Sequence, residues 1–412
     1  MISIIKRSKN LALFLGCAMA VLSSCNKDLE QFAQAPVVPS GLSLGETLAA
    51  SATDSLFYKI VLKSGLTATL NNKANAYTFF VPDNDAVIAS FGGSLASANF
   101  VISNLPAASA AGIVSYNLIP QIFASTAFPV TFPNVQIPTG IILDPTNPLV
   151  RMTTFLSKRG TQYYVNNVPI GIVDVATANG IIHKPLAIVA PPTRVLKDAM
   201  NRVANLTYFK AAIARADSGQ TGLRRFDSLL NYAVTNMTVL APNDVAFQTL
   251  IFGLAYQGYL STRPTPYTGT DSATALATAN GAVAAGPVFL STNNITTAQV
   301  RGIMAYHFLA SNAVTASNPT GAYQPNIRVF SVNFSSTASF VKTLVNTSVA
   351  VHPGILVNAT FTGPVVSTLT FSSYGSFPPG GAPFSYTANA VSKDSHAVNG
   401  VFYIIDKVLL PQ

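Results

Sequence analysis

Tryptophan is missing from this sequence, cysteine occurs twice, and charged residues make up only 9% of its 412 positions. Each shortage excludes something. Two cysteines cannot build the multi-bridge framework of a small secreted scaffold. A chain with 49% hydrophobic residues and so little charge has the material for sizeable cores and lacks the composition of a disordered one. Gly and Pro number 26 each, without the period of collagen. The lack of Trp removes the broad indole face that most often stacks on sugars, although tyrosine can stand in for it. Acids are scarcer than bases, 15 against 24, so the formal charge is +9. The bases are scattered, with Arg224-Arg225 one of few pairs, and they describe a mildly basic solvated surface rather than a nucleic-acid binder.

Familiar reaction chemistry is also absent from the sequence patterns. There is no Gly-x-Ser-x-Gly nucleophile elbow and no Gly-rich phosphate loop. His183, His307, His352 and His396 lie far apart, without the His-Glu-x-x-His spacing of a zinc site. Asp83-Asn84-Asp85 has the start of a calcium loop but neither its Gly nor its distal Glu, which leaves helix capping as the better use. Paired carboxylates stay open, because 15 acids could converge in space without a motif. The expectation is a protein that is not an enzyme and needs no cofactor or metal.

What is present begins at the N-terminus. Lys6, Arg7 and Lys9 precede an apolar run over residues 11–22, too short for a stable span and right for a signal segment. It ends in Leu22-Ser23-Ser24-Cys25, which resembles a bacterial lipobox; an ordinary secretory signal cleaved elsewhere is the alternative. The resemblance implies cleavage before Cys25 and acylation there, an anchor strong enough for stable membrane attachment. Cleavage takes three bases and no acid, lowering the charge to +6 (9 − 3 = 6), and removes Cys17. Asn26-Lys27-Asp28-Leu29-Glu30 is similar to the short signal that sends Bacteroidetes-type lipoproteins to the outer face of the outer membrane. Residues 1–24 are thus expected as signal peptide and 25–40 as lipidated cysteine and tether. Membrane contact is expected through Cys25 only.

The rest of the chain is an internal duplication. Thr78-Phe79-Phe80-Val81-Pro82 recurs as Thr238-Val239-Leu240-Ala241-Pro242, and Val114-Ser115-Tyr116-Asn117 as Met304-Ala305-Tyr306-His307. Tyr164-Val165-Asn166 matches Leu356-Val357-Asn358, and Asn179-Gly180-Ile181-Ile182 matches Asn399-Gly400-Val401-Phe402. Upstream, Phe57-Tyr58-Lys59-Ile60 matches Tyr208-Phe209-Lys210-Ala211. Five matches in one order define two homologous domains, 41–192 and 193–412. The second carries two long insertions, expected as a flexible loop over residues 262–287 and an aromatic loop over residues 371–386. In each Thr-to-Pro block, β-branched and aromatic residues predict a strand that Pro ends, and Asp83 or Asn84, Asn243 or Asp244, can cap the next helix. Phe57, Ile60, Val61 and Ser64 fall at helical spacing, while residues 401–410 read as a mostly buried strand.

These blocks, with the closing Gly400-Val401-Phe402-Tyr403-Ile404-Ile405-Asp406-Lys407-Val408-Leu409, are similar to the fasciclin domain family over residues 41–410. The first copy departs from the pattern with Asn117 in place of histidine and with Pro185-Leu186 near its end; it keeps His183. The resemblance implies an α+β fold, with each domain a β-sandwich or wedge and short helices packed along it. It also implies a cell-surface adhesion protein engaging extracellular protein or matrix. A glycan-binding accessory lipoprotein and a ligand-free envelope spacer are the alternatives.

Candidate binding residues are Tyr306 and His307, from the family's Tyr-His pair, with Tyr374, Phe377 and Tyr386 of the second insertion. A lone His in an apolar stretch is more often a core residue, so His307 carries both readings. Asp54-Ser55-Leu56, Asp227-Ser228-Leu229 and Asp271-Ser272-Ala273 resemble a bacterial O-glycosylation acceptor. Ser272, expected in the flexible insertion, is the best placed of the three.

Overall fold

The computed structural model describes residues 40–411 except 131, 133, 293, 294, 316, 317 and 377–382. The signal segment, Cys25 and the tether up to residue 39 lie outside the described residues.

Ser43 opens the first helix, α1 (Leu44–Ala50), through a capping box: its hydroxyl accepts from the Glu46 amide and the Glu46 carboxylate accepts from its own. Helix α2 (Ser55–Ser64) buries Leu56, Phe57, Ile60 and Val61 as one stripe, as their spacing predicts. Helix α3 (Thr67–Asn71) leads to β1 (Tyr77–Phe80), buried at Thr78, Phe79 and Phe80. Pro82 follows the strand, and the Asp83 carboxylate accepts from the Ala86 amide at 2.9 Å to cap α4 (Asn84–Ser90). Asn84, the other capping candidate, instead accepts from the Leu56 amide and ties α4 to α2. Then come α5 (Leu95–Asn104), α6 (Ala107–Tyr116), β2 (Leu118–Ile119), β3 (Val135–Ile142), β4 (Arg151–Arg159), β5 (Gln162–Val165), β6 (Val168–Thr177) and β7 (Gly180–Pro185). They form one sheet in the order β2-β1-β7-β6-β5-β4-β3, parallel between β1 and β7 and antiparallel elsewhere.

The second unit repeats the plan. Helices α7 (Leu196–Asn201), α8 (Thr207–Ala216) and α9 (Phe226–Asn231) precede β8 (Met237–Pro242), and Asn243 caps α10 (Asp244–Leu260) as Asp83 caps α4. After α11 (Gly269–Ala284), α12 (Phe289–Thr292) and α13 (Thr297–Tyr306) come β9 (Ser339–Val341), β10 (Ile355–Thr362), β11 (Val365–Ser376), β12 (Pro383–Ala397) and β13 (Gly400–Ile405). The order is β8-β13-β12-β11-β10-β9, again with a parallel pair, β8 and β13, made of the first and last strands. That pair demands glycine. A Cβ on Gly180 would lie 2.2 Å from the Tyr77 carbonyl oxygen, and one on Gly400 2.4 Å from that of Met237.

Several expectations change. The upstream match is one residue out of phase, because Tyr208, Phe209, Ala212 and Ile213 of α8 take the places of Leu56, Phe57, Ile60 and Val61. Val165-Asn166 ends β5, whereas Val357-Asn358 lies in β10, which holds the sheet position of β4; those two blocks are not equivalent. The first insertion is helix rather than flexible loop. It lengthens α10 to 17 residues, against 7 in α4, and adds α11, whose capping box joins Thr268 and Asp271. Ser272 therefore sits in the first turn of a helix, as the other two serines do in theirs. The second insertion is mainly an antiparallel hairpin, with β11 paired to β12 from Thr370–Asn389 to Ser376–Pro383.

Candidate binding site

Tyr306 and His307 close α13, and both are fully buried. The Tyr306 hydroxyl donates to the Gly354 carbonyl at 2.6 Å. His307 Nδ1 meets the Ile303 carbonyl at 2.8 Å, while Nε2 accepts from the Leu409 amide at 3.1 Å. That pattern places the proton on Nδ1 and leaves neither nitrogen for a ligand. Burial depresses the imidazole to about 4, so it is neutral at pH 7. Of the two readings of the pair, these contacts give it a core role, with both side chains buried and their polar atoms bonded within the domain. In the first unit, Asn117 Nδ2 does the corresponding work, donating at 2.8 Å to the Ile113 and Val189 carbonyls. Both residues fasten a helix end to the closing segment of their unit.

A second repeated device was not read from the sequence. Asp174 and Asp394 have φ of +61° and +57° at irregular points of β6 and β12. Each carboxylate takes the amide and hydroxyl of one serine, Ser125 or Ser331. His183 and Tyr403 hold equivalent places in β7 and β13. His183 accepts from the Asp174 amide and meets the Phe123 carbonyl, whereas Tyr403 donates toward Asp394 and the Val329 carbonyl. The family-type histidine of the first copy is thus part of the scaffold.

The second-insertion candidates lie on the long hairpin. Register sets Tyr374 opposite Ser385 and Tyr386 opposite Ser373, while Phe377 lies outside the described residues. Tyr306 and His307 stand at the end of α13, outside that hairpin.

The structure instead brings together residues that sequence reasoning missed, at the seam between the units. β4 is buried at four successive positions, Thr154 to Ser157, because both of its faces are covered. Met152 and Leu156 enter the core of the first unit; Phe155 enters that of the second. Its ring lies 5.8 Å from that of Phe330, and the Arg328 guanidinium lies 4.9 Å from its centre. Arg328 is 2% exposed and bonds His396 Nε2 at 3.0 Å and the Val398 carbonyl at 2.8 Å. Burial lowers it to about 10, which leaves it charged at neutral pH. His396 is pushed well below its ordinary value, by burial first and by Arg328 second. Nearby, Tyr164 donates to the Pro364 carbonyl, Asn134 to Asn333, and Arg159 stacks 3.2 Å from the Phe361 ring centre. A signal did exist: Arg328 stands alone in the apolar run Ile327 to Phe330, where a cation needs a special partner.

Beside this seam opens a pocket of about 400 Å³, within the usual size of small-ligand sites. Phe132, Ser157, Lys158 and Arg159 line it from the first unit, residues 333–336 and 339–341 from the second. Its lining holds two cations, several serines and no acid. The Ser157 hydroxyl is buried without a hydrogen-bond partner among the described residues. No group of three or more His, Cys, Asp or Glu residues able to hold a metal occurs among the described residues.

Residues 54–184 match the Fasciclin domain family. Among solved structures, the FAS1 domain pair of the insect cell adhesion molecule Fasciclin I is similar, at 13% identity and a TM-score of 0.31, over 86% of this chain and 95% of that one. Comparison with curated proteins gives no match. The match to the Fasciclin domain thus lies within the first unit, and the second repeats that unit's parallel first-and-last-strand sheet, so that the chain folds as an α+β pair of tandem fasciclin-like domains.

Proposed function

We propose that this protein is a lipid-anchored binding protein of the outer bacterial surface, holding extracellular protein or matrix through its fasciclin-like pair. The observation that carries this reading is the joining, in one chain, of the acylation-type Leu22-Ser23-Ser24-Cys25 with a Fasciclin domain at 54–184. The membrane is met through acylated Cys25 alone. The body binds rather than catalyses, takes no cofactor and does not engage nucleic acid. A seam filled by Phe155, Phe330 and Arg328 supports this role, because it holds the two domains as one semi-rigid arm beyond the tether. Glycan capture is the second reading, favoured by the hydroxyl-rich, acid-free pocket at that seam.

The test expresses the full chain and Cys25→Ala in a bacterium with an outer membrane, with an alkyne fatty acid as label. The wild type should carry the label, fractionate with the outer membrane and be shaved from intact cells by protease. Cys25→Ala should lose label and membrane together. An unlabelled, freely soluble wild type would overturn the anchor.

A further inference from the structure

We propose that the seam pocket binds a carboxylated sugar unit, its carboxylate on Arg159 and its hydroxyls on the serine-lined wall. The inference rests on the binding role proposed above and names the ligand class of one site. Charge comes first. Arg159 and Lys158 enter the lining with no acid beside them, and neither forms an ion pair with a described carboxylate. A guanidinium stacked on Phe361 and beside the Tyr164 hydroxyl carries five N–H donors, more than those two contacts use, and a carboxylate is the planar, bidentate acceptor that matches them. The stack and the Tyr164 hydroxyl beside it fix the group in advance, so little rotamer entropy is lost on binding.

The polar wall distinguishes a sugar acid from a simple anion. Ser157 is 5% exposed and its hydroxyl has no partner, a desolvation cost that a ligand hydroxyl would remove. Ser336 and Ser339, both exposed, extend the hydroxyl-bearing surface across the pocket on the second domain. Phe340, half exposed in the same lining, supplies an apolar surface of the kind that packs against the C–H face of a pyranose. A volume of about 400 Å³ suits one or two sugar rings rather than a folded epitope. Period-2 geometry explains why the site exists. Phe155, Ser157 and Arg159 alternate along β4, so the face that locks the domains together also carries the hydroxyl and the cation.

Isothermal titration of the full chain in detergent, with galacturonate, a galacturonate trimer, the neutral galactose trimer and a Glu-rich peptide, tests the assignment. Both acidic sugars should bind, the galactose trimer at least about tenfold more weakly than its acidic counterpart, with affinity falling as salt rises. Binding of the trimer alone would place the ligand as part of a polymer rather than a free acid, and still supports the assignment. Arg159→Gln should weaken acidic-sugar binding at least about tenfold. Because Arg159 also spans the seam, Ser336→Tyr serves as the second variant, filling the pocket from an exposed position while circular dichroism reports an unchanged fold. Acidic-sugar binding that survives Ser336→Tyr, a preference for the Glu-rich peptide, or silence from every ligand would overturn the assignment. Outer-membrane labelling and adhesion are read separately, so their success beside a silent pocket would sink this inference and leave the function standing.

Discussion

Arg328 of the second domain lies over the ring of Phe155 of the first, 4.9 Å from its centre, with its guanidinium bonded to His396 and to the Val398 carbonyl. A buried cation without an ion-paired carboxylate among the described residues is costly, and its attraction to the aromatic face offsets part of that cost. The contact belongs to neither domain alone. Its removal should therefore affect how the two unfold together.

Phe155→Ala empties a fully buried position and should cost about 3–5 kcal/mol. Differential scanning calorimetry is expected to show one cooperative transition in the wild type and two separated ones in the variant. A single transition shifted as a whole would mean that the domains stay coupled without this ring.

His307 makes the second domain sensitive to acid. Its folded value of about 4 lies below the roughly 6.5 of an exposed imidazole, so the unfolded chain binds the proton more readily. Stability from this residue is full above pH 6.5 and declines as pH falls toward 4, by about 3 kcal/mol in total. His183, His352 and His396 are also depressed and act in the same direction, while the raised carboxyl of Asp394 acts against them. His307→Asn, which installs the residue found at position 117, should flatten the acid limb of a plot of Tm against pH. An unchanged slope would remove His307 from the explanation.

Asn399 is the most connected side chain among the described residues of its domain. It accepts from the Leu196 amide at 2.7 Å and donates at 3.0 Å to the Leu230 and Tyr232 carbonyls. Asn179 makes the same three links, to Leu44, Leu70 and Asn72. Asn399→Ala should cost about 2–4 kcal/mol, because buried partners are left unsatisfied. Urea unfolding should show a matching loss for Asn179→Ala. A loss below about 0.5 kcal/mol in either would contradict the shared role.

The duplication was legible because its blocks carry obligatory roles: Thr78 and Thr238 bind the loop carbonyls of Gln121 and Ile327, and Asn179 and Asn399 hold three segments each. Blocks without such a role misled. Val165-Asn166 and Val357-Asn358 share residues common to many strands, and only sheet order separates β5 from β10. The added helix α11 was hidden by composition, since Ala, Thr and Gly give it little amphipathic contrast. An extension between Leu309 and Ile327 also escaped, visible only because the offset rises from 190 at Tyr116/Tyr306 to 206 at Gln121/Ile327 (306 − 116 and 327 − 121). Of the seam, only Arg328 left a mark in the sequence, as a lone cation in the apolar run Ile327 to Phe330. Phe155 looks like any core residue of a strand until a second domain is found covering it.

Attachment of intact cells tests the account most directly. Cells displaying the full chain should adhere to immobilised matrix protein or polysaccharide. Cells making Cys25→Ala should not adhere, and the released variant, added in excess, should block the wild type. Adhesion that is equal with and without the chain, on surfaces that the purified protein does not bind, would contradict a binding role and leave a structural spacer.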